Sequence, residues 1–193
     1  MAPTLDEMRE AADEVALVRR ARVGDRDAFD ELVRLHFTRV YALIHRMIGS
    51  HEDAEDLAQE CFVRAWRSLP HYRAEAAFGT WIARIALHLA QDHHRGGARR
   101  SRIVPLGEFE GESRPLDSAS DLGRELAHAL SRLPPRLRAA LVLRAVEQRE
   151  YSEVAEITGV KPATARAHVM QARKLLLRWL APWLSLSSPE RPR

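Results

Sequence analysis

The residues best equipped for chemistry stand close together: Lys161, Thr164, Arg166, His168, Gln171, Arg173 and Lys174. Cations there can neutralise phosphates, while hydroxyl, imidazole and amide groups can exchange hydrogen bonds with base edges. Arg166 has two readings: a pair of hydrogen bonds to guanine, or a plain phosphate clamp. Such a set must sit on a helix. Ala165, Val169, Ala172 and Leu176 recur at spacings of four, three and four and form one apolar stripe, with the polar residues off it. Pro162 suits the first turn of that helix, and Gly159 permits a left-handed turn just before it. Upstream, Tyr151 to Thr158 predicts a shorter helix. Ser152 is its expected cap, Glu153 and Glu156 suit its positive end, and Val154, Ala155 and Ile157 face inward. Helix, glycine turn, then a helix with one apolar and one basic face outlines a DNA-reading helix-turn-helix. Two packed helices of an ordinary bundle would share that outline.

The wider composition narrows the choice. With 193 residues the chain forms one domain or two small ones, and 46% hydrophobic residues suffice for real cores. No apolar run approaches the ~20 residues of a membrane span, and the acidic start lacks the pattern of a signal peptide. Cys61 is the single cysteine, so no disulfide can form within the chain. A cytoplasmic protein without membrane insertion is expected, with Cys61 packing as a small hydrophobe. The net charge of +3 is unevenly distributed: residues 1–60, 61–102, 103–131 and 132–193 carry −6, +6, −4 and +7. Two separated basic blocks suit two contacts with a polyanion, and the acidic blocks suit a basic protein surface.

The remaining elements all read as helices, and no strand pattern or internal repeat is present. Residues 1–22 predict a helix broken by Gly24-Asp25. A long amphipathic helix follows, with Phe29, Leu32, Val33, Phe37, Val40, Tyr41, Leu43, Ile44 and Ile48 at helical spacing, ended by Gly49-Ser50. The next, Glu52 to Leu69, is acidic in its first turns, with Asp53, Asp56, Gln59, Glu60 and Arg64 mainly on outer faces. Pro70 to Ala77 is a loop, and Phe78 to Arg95 is a helix with Phe78, Trp81, Ile82, Ile85 and Leu89 inward and Thr80, Arg84 and His88 more polar. From Gly96 the periodicity fails, and an acidic stretch rich in Pro and Gly predicts a flexible linker. Helices return at Asp121, and the tail after Ala181 reads as frayed.

DAEDLAQECFVRAW (Asp53 to Trp66), FGTWIARIALHLAQDHHR (Phe78 to Arg95), LPPRLRAALVLR (Leu133 to Arg144) and SEVAEITGVKPATARAHVMQARKLL, in that order, resemble the extracytoplasmic-function (ECF) sigma factors of bacterial RNA polymerase. The resemblance covers roughly residues 24 to 180. It implies an all-α fold of two small helical domains, a sigma-2-like bundle and a sigma-4-like helix-turn-helix domain, joined by a flexible acidic linker. The corresponding divisions are an N-terminal arm (1–23), the first domain (24–97), the linker (98–121), the second domain (122–181) and a tail (182–193). It implies no catalysis and no cofactor. Its implied partners are core RNA polymerase, through the clamp helices of the largest subunit and the flap region, promoter DNA, and an anti-sigma factor. Asp53, Asp56, Gln59, Glu60 and Arg64 then fall on the clamp-binding helix. Tyr72, Arg73, Thr80, Trp81, Arg84, His88, Arg95, Arg99 and Arg100 fall where the −10 element is engaged and opened. Lys161, Thr164, Arg166, Ala167, His168, Gln171, Arg173 and Lys174 fall where the −35 element is read. His88 stands where similar proteins often carry Asn. Ala165, Ala167, His168 and Gln171 stand where Val, Ser, Arg and a basic residue are common.

Two other classes fit parts of the chain. A self-sufficient helix-turn-helix regulator explains the second basic block and leaves the first, and the acidic helix, without a role. A metal enzyme would start from His88 and Asp92 at i, i+4, beside His93 and His94, but it lacks a well-placed third ligand, a phosphate loop or a nucleophile motif.

Overall fold

Caps and turns divide the chain into helices. A computed structural model describes residues 5–74, 76–100 and 121–186. Helix α1 is Leu5–Arg22. Asp25 opens α2 (Arg26–Ile48) by accepting the Ala28 N–H at 3.1 Å, and Gly49 closes it at φ 85° with its own N–H on the His45 carbonyl. Ser50 opens α3 (His51–Ser68), accepting the Asp53 N–H at 3.3 Å, and a 3-10 turn spans Leu69–His71. Helices α4 (Phe78–Arg100), α5 (Asp121–Ser131), α6 (Pro135–Ala145), α7 (Tyr151–Thr158) and α8 (Pro162–Leu186) follow. The expected all-α architecture is present, and among the described residues there is no strand.

Three boundaries differ from the sequence reading. Ser152 does not cap α7: Glu150 takes the extended N-cap conformation, and Glu153 reaches back to accept its N–H at 3.0 Å, placing Ser152 inside the helix. Helix α4 continues through Gly96 and Gly97 to Arg100. Each glycine costs about 1 kcal/mol in a helix interior, but an established helix propagates past that penalty, and cations suit its C-terminal end. Helix α8 runs through Pro182 to Leu186, past the expected end at Ala181. Upstream, the Arg132 guanidinium lies 4.8 Å from the Trp179 ring centre and Leu180 is buried, so packing holds the helix across the missing N–H. Most of the expected linker, residues 101–120, and residues 187–193 of the tail lie outside the described residues.

Helix α2 is the centre of the first group, packing on α1, α3 and α4 through Ala28, Leu32, Val40, Leu43, Ile44 and Met47. Ala54, Ala58 and Ala65 let α3 approach closely, since an alanine adds no side chain beyond Cβ. In the second group α8 packs on α5, α6 and α7 through Ala165, Val169 and Ala172.

The two groups share a continuous apolar core, with α2 against α6 and α4 against α7. Polar contacts seal the junction. Arg46 meets Glu147 at 3.1 Å, with both side chains largely buried. Arg84 donates to the Glu156 carbonyl at 2.9 Å. Arg138, only 4% exposed, donates to the Met47 carbonyl at the end of α2 and to the Ser131 and Leu133 carbonyls. Burial lowers its pKa. At the α1–α2 contact, His36 holds the Glu14 carboxyl below its ordinary range through a hydrogen bond.

Cys61 is fully buried on α3, its thiol directed at the Ile82 carbonyl, and burial pushes its pKa up to about 12. A thiol so rarely ionised should resist alkylation by iodoacetamide at pH 8 in the native protein and react fully in denaturant. Mass spectrometry of both samples checks this, and equal native labelling would show the helix opening readily.

Candidate functional site

Three surfaces carry the residues singled out above. On α3, the fully buried Ala54, Ala58, Cys61 and Ala65 hold one side against the core. Asp56, Gln59 and Glu60 consequently project from the other side and are exposed. Arg64 lies on the same side, bonded to Glu60 through Nε at 2.9 Å and Nη2 at 2.6 Å. Asp53 stands apart, half-buried, with the His93 Nε2 at 3.6 Å. Beside this acidic face runs a shallow groove of about 330 Å³, lined by Phe29, Phe62, Val63 and Trp66 with Arg26 and Asp30 at its edge.

The second surface joins the loop after the 3-10 turn to α4. Tyr72, Phe78 and Trp81 form an aromatic cluster, with ring centres 4.8 Å apart for Tyr72 and Trp81 and 5.5 Å for Phe78 and Trp81. The Tyr72 hydroxyl donates to the Ala76 carbonyl, and burial raises its pKa. Ala74 has φ 56°, a left-handed conformation that disfavours a Cβ and fixes a tight bend there. Two residues named from the sequence are not surface groups: Tyr72 is 6% exposed and Thr80 is 3% exposed. They support the face from beneath, because the helix turns Thr80 inward with Phe78 and Tyr72 folds under its own loop. Trp81 is half-buried, while Arg73 and His88 are exposed. Arg84 faces the second helical group and is taken up by Glu156. Arg95, Arg99 and Arg100 fall on the last turns of α4, and their side chains lie outside the described residues.

The third surface is the pair α7–α8. Gly159 turns the chain at φ 69°, where a side chain would be strained, and Pro162 begins α8 as expected. Opposite the buried stripe of Ala165, Val169 and Ala172 stand Thr164, Ala167, Gln171 and Lys174, all exposed, at spacings of three, four and three. Arg166 and Arg173, seven residues apart, line one flank of this face, and the half-buried His168 lies on the other. Lys161 is exposed just before the helix starts. The arrangement offers the hydrogen-bonding groups of Thr164 and Gln171 in the middle, Lys174 at the far end of the same face and two arginines along one margin, suited to a groove floor between phosphate walls.

Sequence reasoning missed the ring and the second arginine that brace this surface. The Tyr151 ring has the guanidinium carbons of Arg144 and Arg166 each 5.0 Å from its centre. An aromatic residue opening one helix, with arginines seven residues before and fifteen after, was the only available signal. Among the described residues no group of three His, Cys, Asp or Glu side chains could hold a metal ion, and no helix is long and apolar enough to cross a membrane.

Known proteins resemble this chain in sequence and in fold. Residues 32–100 match the family model for Sigma-70 region 2, and residues 123–176 match that for Sigma-70, region 4. The ECF RNA polymerase sigma factor SigE of Mycolicibacterium smegmatis is 39% identical over 82% of this chain, which spans 65% of that protein's length. The RNA polymerase sigma-H factor of Pseudomonas aeruginosa is 32% identical, covering 87% of this chain and 94% of its own. The ECF RNA polymerase sigma-E factor of Escherichia coli (strain K12) is 30% identical, covering 88% and 95%. In fold, the chain is similar to the sigma factor RpoE solved in complex with the anti-sigma factor NepR from Bartonella quintana, with a TM-score of 0.67, 24% identity, and 79% of this chain and 96% of that one covered. It is also similar to CnrH, solved with the cytosolic domain of CnrY, with a TM-score of 0.65, 24% identity, and coverage of 92% and 99%. The two sigma regions match in order over most of the sequence, and the P. aeruginosa and E. coli relatives agree along nearly their whole length; this chain belongs to the ECF sigma factor family.

Proposed function

We propose that the chain binds core RNA polymerase and directs it to promoters whose −35 element is read by α8 and whose −10 element is engaged and opened by the face around Trp81. One observation carries this reading: an exposed acidic face on α3 and an exposed polar face on α8 occur in one chain, each backed by a buried stripe. A self-sufficient regulator needs only the second, and the family membership removes that reading. Asp56, Gln59 and Glu60, with the adjoining groove, supply acids and an apolar trough for basic, amphipathic helices such as the clamp helices, and the second helical group would meet the flap region. Bases flipped from the melted strand would meet the half-buried Trp81, backed by the buried Tyr72 and Phe78, and a stacking contact of that kind is worth ~1–3 kcal/mol. The protein itself is non-catalytic and acts in the cytoplasm without a cofactor, in a stress or envelope response. An anti-sigma factor covering α3 would hold it inactive by competing with polymerase.

Run-off transcription with core polymerase on a library of host genomic fragments tests the reading. Discrete products that require the chain are expected; transcription no different from core enzyme alone would overturn it.

Two substitutions separate the roles on α8. Lys174→Ala should weaken binding to all promoter variants alike and lower the salt dependence, as loss of one phosphate contact does. Arg166→Ala should cost about 1–3 kcal/mol and relax preference at one −35 position if the guanidinium reads a base. A panel of single-base −35 variants checks both; uniform loss for Arg166→Ala would assign it to phosphate.

A further inference from the structure

We infer that Tyr151 is a positioning residue for promoter recognition: its ring holds the Arg166 guanidinium at the margin of the α8 reading face before DNA arrives. The inference rests on the function proposed above and assigns a role to a residue outside the DNA-facing set. Arg166 is exposed, and its guanidinium makes no hydrogen bond or ion pair among the described residues. An arginine in that condition ordinarily samples many rotamers, and ordering it on DNA opposes binding. Here the guanidinium carbon lies 5.0 Å from the centre of the Tyr151 ring, within the range of a cation–π contact.

The ring is itself held from several sides. Tyr151 is half-buried and packs against the shared core. It is the first residue of α7, whose start is fixed by the bond from the Glu150 N–H to Glu153. Arg144 also lies 5.0 Å from the ring centre and is tethered in turn, donating to the Arg149 carbonyl at 2.8 Å and pairing with Glu150 at 3.3 Å. The tethered arginine and the core fix the platform, and the otherwise unattached arginine rests on it. Helix α7 thus contributes to recognition through a residue that need not touch DNA.

The test measures binding of reconstituted holoenzyme to a promoter fragment recovered in the run-off selection. Wild type is compared with Tyr151→Phe, Tyr151→Leu, Arg166→Ala and the Tyr151→Leu/Arg166→Ala double variant. An exposed cation–π contact corresponds to roughly a two- to fivefold change in an equilibrium constant. Tyr151→Leu should weaken binding by that factor, and Tyr151→Phe, which keeps the ring, should match wild type. In the Arg166→Ala background, Tyr151→Leu should cause no further loss, because the arginine it positions is gone. Thermal melts accompany each variant, and Tyr151→Met, which keeps apolar bulk, takes the place of a leucine variant that unfolds. Losses that multiply in the double variant, or a phenylalanine variant as weak as the leucine one, would overturn the inference and leave the functional reading standing. Arg166→Ala binding like wild type would do the same. A holoenzyme without promoter-specific transcription would instead remove the functional reading, and this inference with it.

Discussion

Replacing Asp56 and Glu60 together by arginine should abolish co-purification with core RNA polymerase while leaving the fold intact. Both acids are exposed on α3, and the stripe behind them is alanine, cysteine and phenylalanine, which the substitutions leave untouched. Among the described residues Glu60 pairs with Arg64, itself half-exposed, and an exposed pair of that kind is worth under ~1 kcal/mol. At a basic partner surface the same changes convert two attractions into two repulsions, and each like-charge juxtaposition costs several kcal/mol. The affinity should therefore fall by about a thousandfold or more. Titration of labelled protein with core enzyme measures the loss, beside a thermal melt. An unchanged dissociation constant would move the polymerase contact off α3.

The second large effect concerns stability. Arg138→Ala should destabilise the protein by about 3 kcal/mol or more. The side chain is almost wholly enclosed and supplies donors to the Met47, Ser131 and Leu133 carbonyls, which belong to both helical groups. Truncation leaves those acceptors without this donor in a site that excludes water, at about 1–3 kcal/mol for each one left unsatisfied, and opens a cavity as well. Arg138→Lys should recover only part of the loss, because a single ammonium cannot reproduce the planar fork. Urea denaturation of the three proteins provides the comparison. A loss below ~1 kcal/mol for the alanine variant would mean that water replaces the guanidinium.

What the sequence shows and hides follows from the range of the forces involved. Helices were legible because their stripes are local: Ala165, Val169 and Ala172 are buried together, as their spacing requires. Gly49 and Gly159 ended helices for an equally local reason, the positive φ that each adopts. The exposed acids of α3 and the polar face of α8 were legible as complements of those stripes. Arg138 was not, since an arginine in a helix reads as solvated and one of its acceptors, the Met47 carbonyl, lies ninety-one residues away at the end of α2. The burial of Thr80 and Tyr72 was hidden similarly, because a hydroxyl residue reads as exposed until packing turns it inward. Arg84 shows the limit most plainly. The resemblance assigns it to DNA, while its partner in the structure is Glu156, seventy-two residues away.

That last contact sets a balance sheet of populations. Two promoter elements centred near −10 and −35 lie roughly 85 Å apart at ~3.4 Å per base pair. A folded chain of this length is only about 40 Å across, judged from its expected radius of gyration near 16 Å. The twenty residues between Arg100 and Asp121, fully stretched, reach about 70 Å, so the span becomes accessible only once α6 and α7 have left α2 and α4. Every productive complex must then draw on a minority of molecules in which the halves have parted. If the junction holds by ~3 kcal/mol, fewer than about one molecule in a hundred is apart, and observed affinity falls below intrinsic affinity by the same factor. Stability and occupancy of the promoter are then opposed quantities. Glu147→Ala, which breaks the link to Arg46, should loosen the protein and raise the fraction competent to bind, as urea denaturation beside a promoter titration would measure.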